Sequence, residues 1–146
     1  MKALDELGIN INEQIFISGL TNSSRLIKKD QCFIALQGLR SHGLDYVDEA
    51  IAKGARCILH NKKDYSKNHK VPCFFVEDLF EKQKEICLNF YNIREENLKF
   101  LIFTGTNGKT STAFFSYQVL LKINKDAVLA GTLGIESRTR FKETRN

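Results

Sequence analysis

A chain of 146 residues with 42% hydrophobic and 27% charged side chains has the balance of a folded globular protein, without the bias of a disordered or collagen-like one. No apolar run approaches the roughly 18 to 20 residues of a membrane helix, and the start lacks the basic and apolar segments of a signal peptide, so a cytoplasmic location is expected. The net charge of +5 suits an anionic ligand but does not distinguish nucleotides, phosphosugars and nucleic acids.

Ile15-Phe16-Ile17 and Cys32-Phe33-Ile34-Ala35-Leu36 are short apolar runs between turn-formers, the pattern of buried strands. Between them lies the polar loop Thr21-Asn22-Ser23-Ser24-Arg25, in which Arg25 is expected to act as a buried ion-pair partner. Gly38-Leu39-Arg40-Ser41-His42-Gly43 follows the second run, with His42 expected as an exposed turn residue. Tyr46, Val47, Ala50 and Ile51 then recur at helical spacing before Gly54 closes the helix.

Arg56 to Leu59 and Pro72 to Val76 read as two more strands, with Pro72 at a strand start where its missing N–H is tolerated. The basic stretch Lys62 to Lys70 between them is expected to be a solvated loop. From Asp78 to about Tyr91 the pattern is helical, with Leu79, Ile86 and Phe90 on one apolar face and Asp78 as the N-cap. Cys32, Cys57, Cys73 and Cys87 are far apart and flanked by apolar residues, which indicates buried reduced thiols.

The charged segment 92–97 marks a domain junction, giving a first domain over 1–97 and a second from 98 to 146. Lys99 to Phe103 reads as a buried strand, Thr104 to Gly108 as a tight loop, Lys109 to about Ile123 as a helix and Ala127 to Ala130 as a strand. Together they predict one β-α-β crossover of a parallel sheet. Two strands and one helix cannot cover their own faces, so this second domain is expected either to be the truncated start of a larger one or to lean on the first. The fold class is therefore α/β: a small N-terminal α/β domain followed by the start of a parallel-sheet domain.

Gly105-Thr106-Asn107-Gly108-Lys109-Thr110-Ser111 carries the chemistry. A glycine-containing loop running into a helix N-terminus aims several backbone N–H groups and the positive end of the helix dipole at one point, as phosphate oxygens require. Lys109 can meet the outer phosphates of ATP, and the Thr110 hydroxyl can hold Mg²⁺. The spacing is G-x-x-G-K-T, shorter than the common P-loop, because Phe103 stands where that pattern has its first glycine.

This segment closely resembles the ATP-binding loop of the Mur ligase family, G-T-N-G-K-T followed by Ser or Thr. Thr21 to Arg25, Cys32 to Gly38 and the helix from Asp45 to Ala55 resemble the first domain of the MurE type, and the likeness runs over residues 15–134. Ser23 and His42 each replace an Asp usual in that type. The resemblance implies an ATP-dependent ligase with ATP and Mg²⁺ as cofactors, Lys109 as its catalytic residue and 105–111 as its ATP-binding loop. Its first domain would hold the uridine end of a UDP-linked peptidoglycan precursor, with Asn22 and Ser24 facing the uracil and Leu39, Arg40 and Ser41 lining the pocket.

By the same resemblance, Asn146 falls where the family places an Asn that touches the UDP-sugar. The family's remaining metal ligands, its carbamylated lysine and its third domain would lie beyond this chain, which alone is expected to be inert. The implied partners are UDP-MurNAc-L-Ala-D-Glu and an amino acid, meso-diaminopimelate or L-lysine, with no nucleic acid, no membrane and a monomeric state. Two alternatives stay open: a sister ligase (MurF or a folylpolyglutamate synthase), and a non-enzymatic P-loop module that binds nucleotides or nucleic acid.

Overall fold

The computed structural model describes residues 1–11, 13–39 and 41–142. Arg40 and Asn146, named above as ligand contacts, lie outside them. The chain forms two compact units, Met1–Leu98 and Lys99–Asn146.

In the first unit a small antiparallel pair, β1 (Lys2–Ala3) and β2 (Phe16–Ile17), precedes a four-stranded parallel sheet of β3 (Gly19–Thr21), β4 (Gln31–Ala35), β5 (Ala55–His60) and β6 (Cys73–Phe75), in that spatial order. Helix α1 (Val47–Ala52) lies between β4 and β5 in sequence, and α2 (Leu79–Tyr91) follows β6. The apolar runs are nearly continuous because a parallel sheet is covered on both faces. Successive residues of β4 show this: Cys32 and Ile34 join Leu79 and Ile86 of α2, whereas Phe33 and Ala35 join Val47 and Ala50 of α1. Phe90 packs at the margin of the α2 core, so the apolar face expected for that helix is the one it buries. Complete burial of Leu79 contributes roughly 1.5 to 3 kcal/mol on the area scale.

Asp78 is not the N-cap expected from its residue type. Its φ of 55° is left-handed, no side-chain capping bond forms, and an N-cap that reaches back to the first-turn amides needs an extended backbone. All four cysteines are free, with Cys32 and Cys57 fully buried as register partners on β4 and β5. The Cys57 thiol and burial push Cys32 well up, and burial pushes Cys73 up to about 11, so neither thiol ionises readily near neutrality.

The second unit departs from expectation. Helix α3 spans Lys109–Lys122, as the pattern predicts. The strand expected over 99–103 does not form: Leu101 and Ile102 are exposed, and among the described residues no strand pairs with them. β7 (Val128–Gly131) instead pairs antiparallel with β8 (Gly134–Ser137), which pairs with β9 (Arg140–Lys142). Among the described residues the β-α-β crossover is therefore absent, since β7 is hydrogen-bonded in a hairpin and 99–103 joins no ladder. The polar run 136–140 hid the end of β8 and the start of β9, strands of four and three residues.

Gly43 marks a close approach that constrains the fold around the first unit's loops. A Cβ there would lie 2.7 Å from the Ala35 Cα and 2.9 Å from the Leu36 nitrogen, both backbone atoms that cannot step aside. Gly131, where an added Cβ meets nothing within 4 Å, is its counterpart with room. Gly43→Ala is expected to lower stability by about 1 to 3 kcal/mol in urea denaturation, while Gly131→Ala stays within about 0.5 kcal/mol of the parent. Equal midpoints for the two variants would contradict the packing described.

Candidate functional site

Parallel strands deliver their following loops to one edge of the sheet, and ligands of open α/β sheets bind along that edge. β3, β4 and β5 lie side by side, so the loops beginning at Asn22, Leu36 and Asn61 leave neighbouring strand ends. The expected contacts Asn22, Ser24, Leu39 and Ser41 all belong to the first two of these loops.

In the first loop Asn22 is exposed, and residues 24–26 form a single 3-10 turn that buries Ser24. The Ser24 hydroxyl donates to Glu49 Oε2 of α1 at 2.7 Å. Glu49 Oε1 takes the Lys53 ammonium at 2.7 Å, and Lys53 also reaches the Arg25 carbonyl at 3.4 Å. Lys53 and then Ser24 hold the Glu49 carboxyl below its ordinary range. Arg25 itself is exposed and, among the described residues, takes no ion pair within 4 Å, which corrects the buried role expected of it.

In the second loop Leu39 is fully exposed, and Ser41 Oγ lies 3.0 Å from the Tyr46 hydroxyl. His42 is more than a turn residue. Its Nδ1 accepts from the Leu44 N–H at 3.0 Å while its own N–H donates to Asp45 Oδ2 at 3.1 Å, a capping box at the head of the 3-10 turn Gly43–Tyr46. An imidazole nitrogen thus does here what a carboxylate oxygen could do.

The basic third loop is pinned, not loose. Lys67 binds Asp48 at 2.8 Å, His69 Nδ1 lies 3.3 Å from the other Asp48 oxygen, and the Tyr65 hydroxyl meets His69 Nε2. Lys67 leads in holding the Asp48 carboxyl low. Tyr65 packs edge-on against His60, the last residue of β5, with ring centroids 5.1 Å apart. His60, Tyr65, Lys67 and His69, with Cys73, line a cavity of about 320 Å³. Asp48 and Glu49 escape sequence reading because a polar residue on an amphipathic helix looks the same whether it faces solvent or a neighbouring loop, and Tyr46 because its spacing assigns it to the apolar face.

In the second unit the segment from Thr104 to Gly108 is an exposed loop leading directly into α3. Gly105 and Gly108 have φ of 143° and 77°, and an added Cβ would find nothing closer than 3.7 Å at either. Their need for glycine is therefore conformational. The Lys109 ammonium folds back over the loop, onto the Gly105 carbonyl and the Thr106 carbonyl at 3.3 Å. Thr110 and Ser111 occupy the first turn, whose amides have no acceptor within the helix and point out of its N-terminus. Fourteen residues of α3 stand behind them to supply the dipole.

A family model described as "Mur ligase family, catalytic domain" matches residues 16–90, all within the first unit and apart from the glycine loop. A UDP-N-acetylmuramoyl-L-alanyl-D-glutamate–2,6-diaminopimelate ligase of Caldanaerobacter subterraneus subsp. tengcongensis is 37% identical over 122 residues, covering 84% of this chain and 25% of the relative. A solved ligase of the same name superposes with a TM-score of 0.61 at 22% identity over 96% of this chain and 29% of the other, a likeness of fold. A MurF ligase of Thermotoga maritima in complex with ADP gives a TM-score of 0.52 at 25% identity, covering 84% of this chain and 25% of its own. The chain thus spans about a quarter of the length of the curated relative it matches.

His60 offers a direct test of this edge. Burial leads in holding its pKa below the ordinary value, and the nearby His42 acts in the same direction. The unfolded chain therefore binds a proton at this histidine more readily than the folded one. The neutral side chain's contribution is complete above about pH 6.5 and is lost as pH falls through the lowered folded value. The urea midpoint is expected to drop between about pH 7.5 and pH 5, and His60→Asn to flatten that drop. An equal drop in the variant would remove His60 as its source.

Proposed function

Because the chain belongs to the Mur ligase family, we propose that it supplies the precursor-holding unit and the phosphate loop of an ATP-dependent amide ligase of peptidoglycan synthesis. In this reading the ligase acts on UDP-MurNAc-L-Ala-D-Glu and adds 2,6-diaminopimelate, the amino acid in the curated relative's name. The carrying observation is the loop 104–108: two glycines in left-handed backbone, open space at both, a helix N-terminus behind and an ammonium group at its mouth.

That loop suits a triphosphate. The amides of Gly108 to Ser111 would take phosphate oxygens, with Thr106 and Asn107 at the rim, and Lys109 would exchange its carbonyl partners for the outer phosphates. Thr110 would hold Mg²⁺, which neutralises charge on the oxygens between which phosphoryl transfer takes place.

The chemistry asked of the whole enzyme follows from the carboxylate it must activate. A carboxylate oxygen takes the γ-phosphoryl group, giving an acyl phosphate and ADP. The incoming amine then attacks the acyl carbon, and inorganic phosphate leaves as the amide forms. Lys109 serves the first step by lying against charge that builds on the transferring group. The first unit serves both by holding the uridine end through Asn22, Ser24, Leu39, Arg40 and Ser41, so that remote binding fixes the reacting end.

For the chain as it stands, calorimetry is expected to show UDP binding that falls at least about tenfold in Asn22→Ala and Ser24→Ala, the scale of one or two lost polar contacts. ATP affinity is expected to fall about 10- to 100-fold in Lys109→Met, as loss of a charge-assisted bond predicts. No amide is expected to form from ATP, precursor and diaminopimelate. Amide-forming turnover by this chain, or folate binding in place of UDP, would overturn the reading.

A further inference from the structure

Asn22, Ser24, Leu39 and Ser41 are the described residues proposed to touch the precursor, and their residue types alone do not set which base they would prefer. The Ser24 hydroxyl carries a constraint that bears on that choice. Ser24 is 7% exposed, and its oxygen lies 2.7 Å from Glu49 Oε2. An ionised carboxylate only accepts, so the single hydroxyl hydrogen of Ser24 is committed to Glu49. What Ser24 has left to offer a ligand is lone-pair density.

Glu49 is held in the ionised, accepting form from its far side. Lys53 Nζ sits 2.7 Å from Oε1, one helical turn away, and the same ammonium reaches the carbonyl of Arg25, the residue after Ser24. The loop and the helix are therefore tied at two adjacent residues, and the serine rotor points one way.

We infer that Glu49 is a positioning residue that sets the hydrogen-bonding polarity of Ser24, making it an acceptor that favours a uracil-type ring over a cytosine-type ring. The inference deepens the proposed function and rests on its assignment of Ser24 to the base. Uracil presents an imide N–H between its two carbonyls. Cytosine presents a bare ring nitrogen at that position, an acceptor that would face the Ser24 lone pairs with no hydrogen between them. A mismatched polar contact in a buried place discriminates more strongly than a merely absent one.

Glu49→Gln is the isosteric test, because its amide can donate to Ser24 and release the hydroxyl hydrogen toward the ligand. Glu49→Ala frees the rotor altogether, and thermal melts by circular dichroism establish that each variant is folded. The parent is expected to bind UDP at least about tenfold more tightly than CDP, the worth of one mispaired hydrogen bond. In Glu49→Gln that ratio is expected to fall toward one, mainly through a gain in CDP affinity, a change that loosening of the loop alone would not produce.

The results separate cleanly. A parent that binds neither nucleotide overturns the uridine reading and this inference with it. A parent that binds UDP with no preference over CDP, or a Glu49→Gln chain that keeps the parent's ratio, overturns the inference and leaves the uridine reading standing. Equal loss of both affinities in Glu49→Gln also overturns it, since that would make Glu49 a support for the loop and nothing more.

Discussion

A parallel sheet has no face to spare for solvent, and this constraint organises the first unit. β4 and β5 are apolar on both sides because α1 covers one and α2 the other. Once the helices are committed to the faces, the chain has only the strand ends left for polar function. Three neighbouring strands running the same way place three loops at one edge, and every polar residue assigned a ligand role in this unit lies in the first two of them.

Loops of this kind have little apolar area with which to order themselves, so their order must come from elsewhere. It comes largely from one short segment. Tyr46, Asp48 and Glu49, all within four residues of chain, reach the second, third and first loops respectively, through Ser41, through Lys67 and His69, and through Ser24. None of these bonds is strong in isolation, and the exposed ion pairs contribute little free energy to the fold. Their consequence is geometric: each removes rotamer freedom that a ligand would otherwise have to freeze on binding. His42 belongs to the same device, because its capping box sets the angle at which the segment leaves the second loop.

How much of this could be read from sequence divides along physical lines. The strands β4 and β5 and both long helices are announced by hydrophobic period, which depends on composition over several residues. The loop 104–108 and the helix behind it are announced by two glycines followed directly by a helical run. Asp78 misled because capping preference is a statement about residue type, while capping itself depends on a dihedral angle that the preceding turn sets. Arg25 misled for a related reason: a cation beside a buried serine looks like its partner, yet the carboxylate that pairs with the serine is satisfied by Lys53 from its own helix. Glu49 was invisible because nothing in the order of residues shows that a helix face looks onto a loop.

The second unit makes the complementary point about strands. Lys99 to Phe103 has the apolar character of a buried strand, and Val128 to Gly131 has the same, yet among the described residues only the latter joins a ladder, with a partner that follows it directly in sequence. A hairpin closes over a two-residue turn, whereas a parallel pairing across α3 must first close a loop of more than twenty residues, at an entropic cost that grows with length. Local antiparallel pairing therefore wins wherever a parallel ladder has too few members to repay that closure. The proposed phosphate loop does not depend on the outcome. Its amides are fixed by the helix that follows, and its glycines by their own dihedrals, so the groups that would meet a triphosphate are in place at the head of α3 whether or not residues 99–103 are drawn into a sheet.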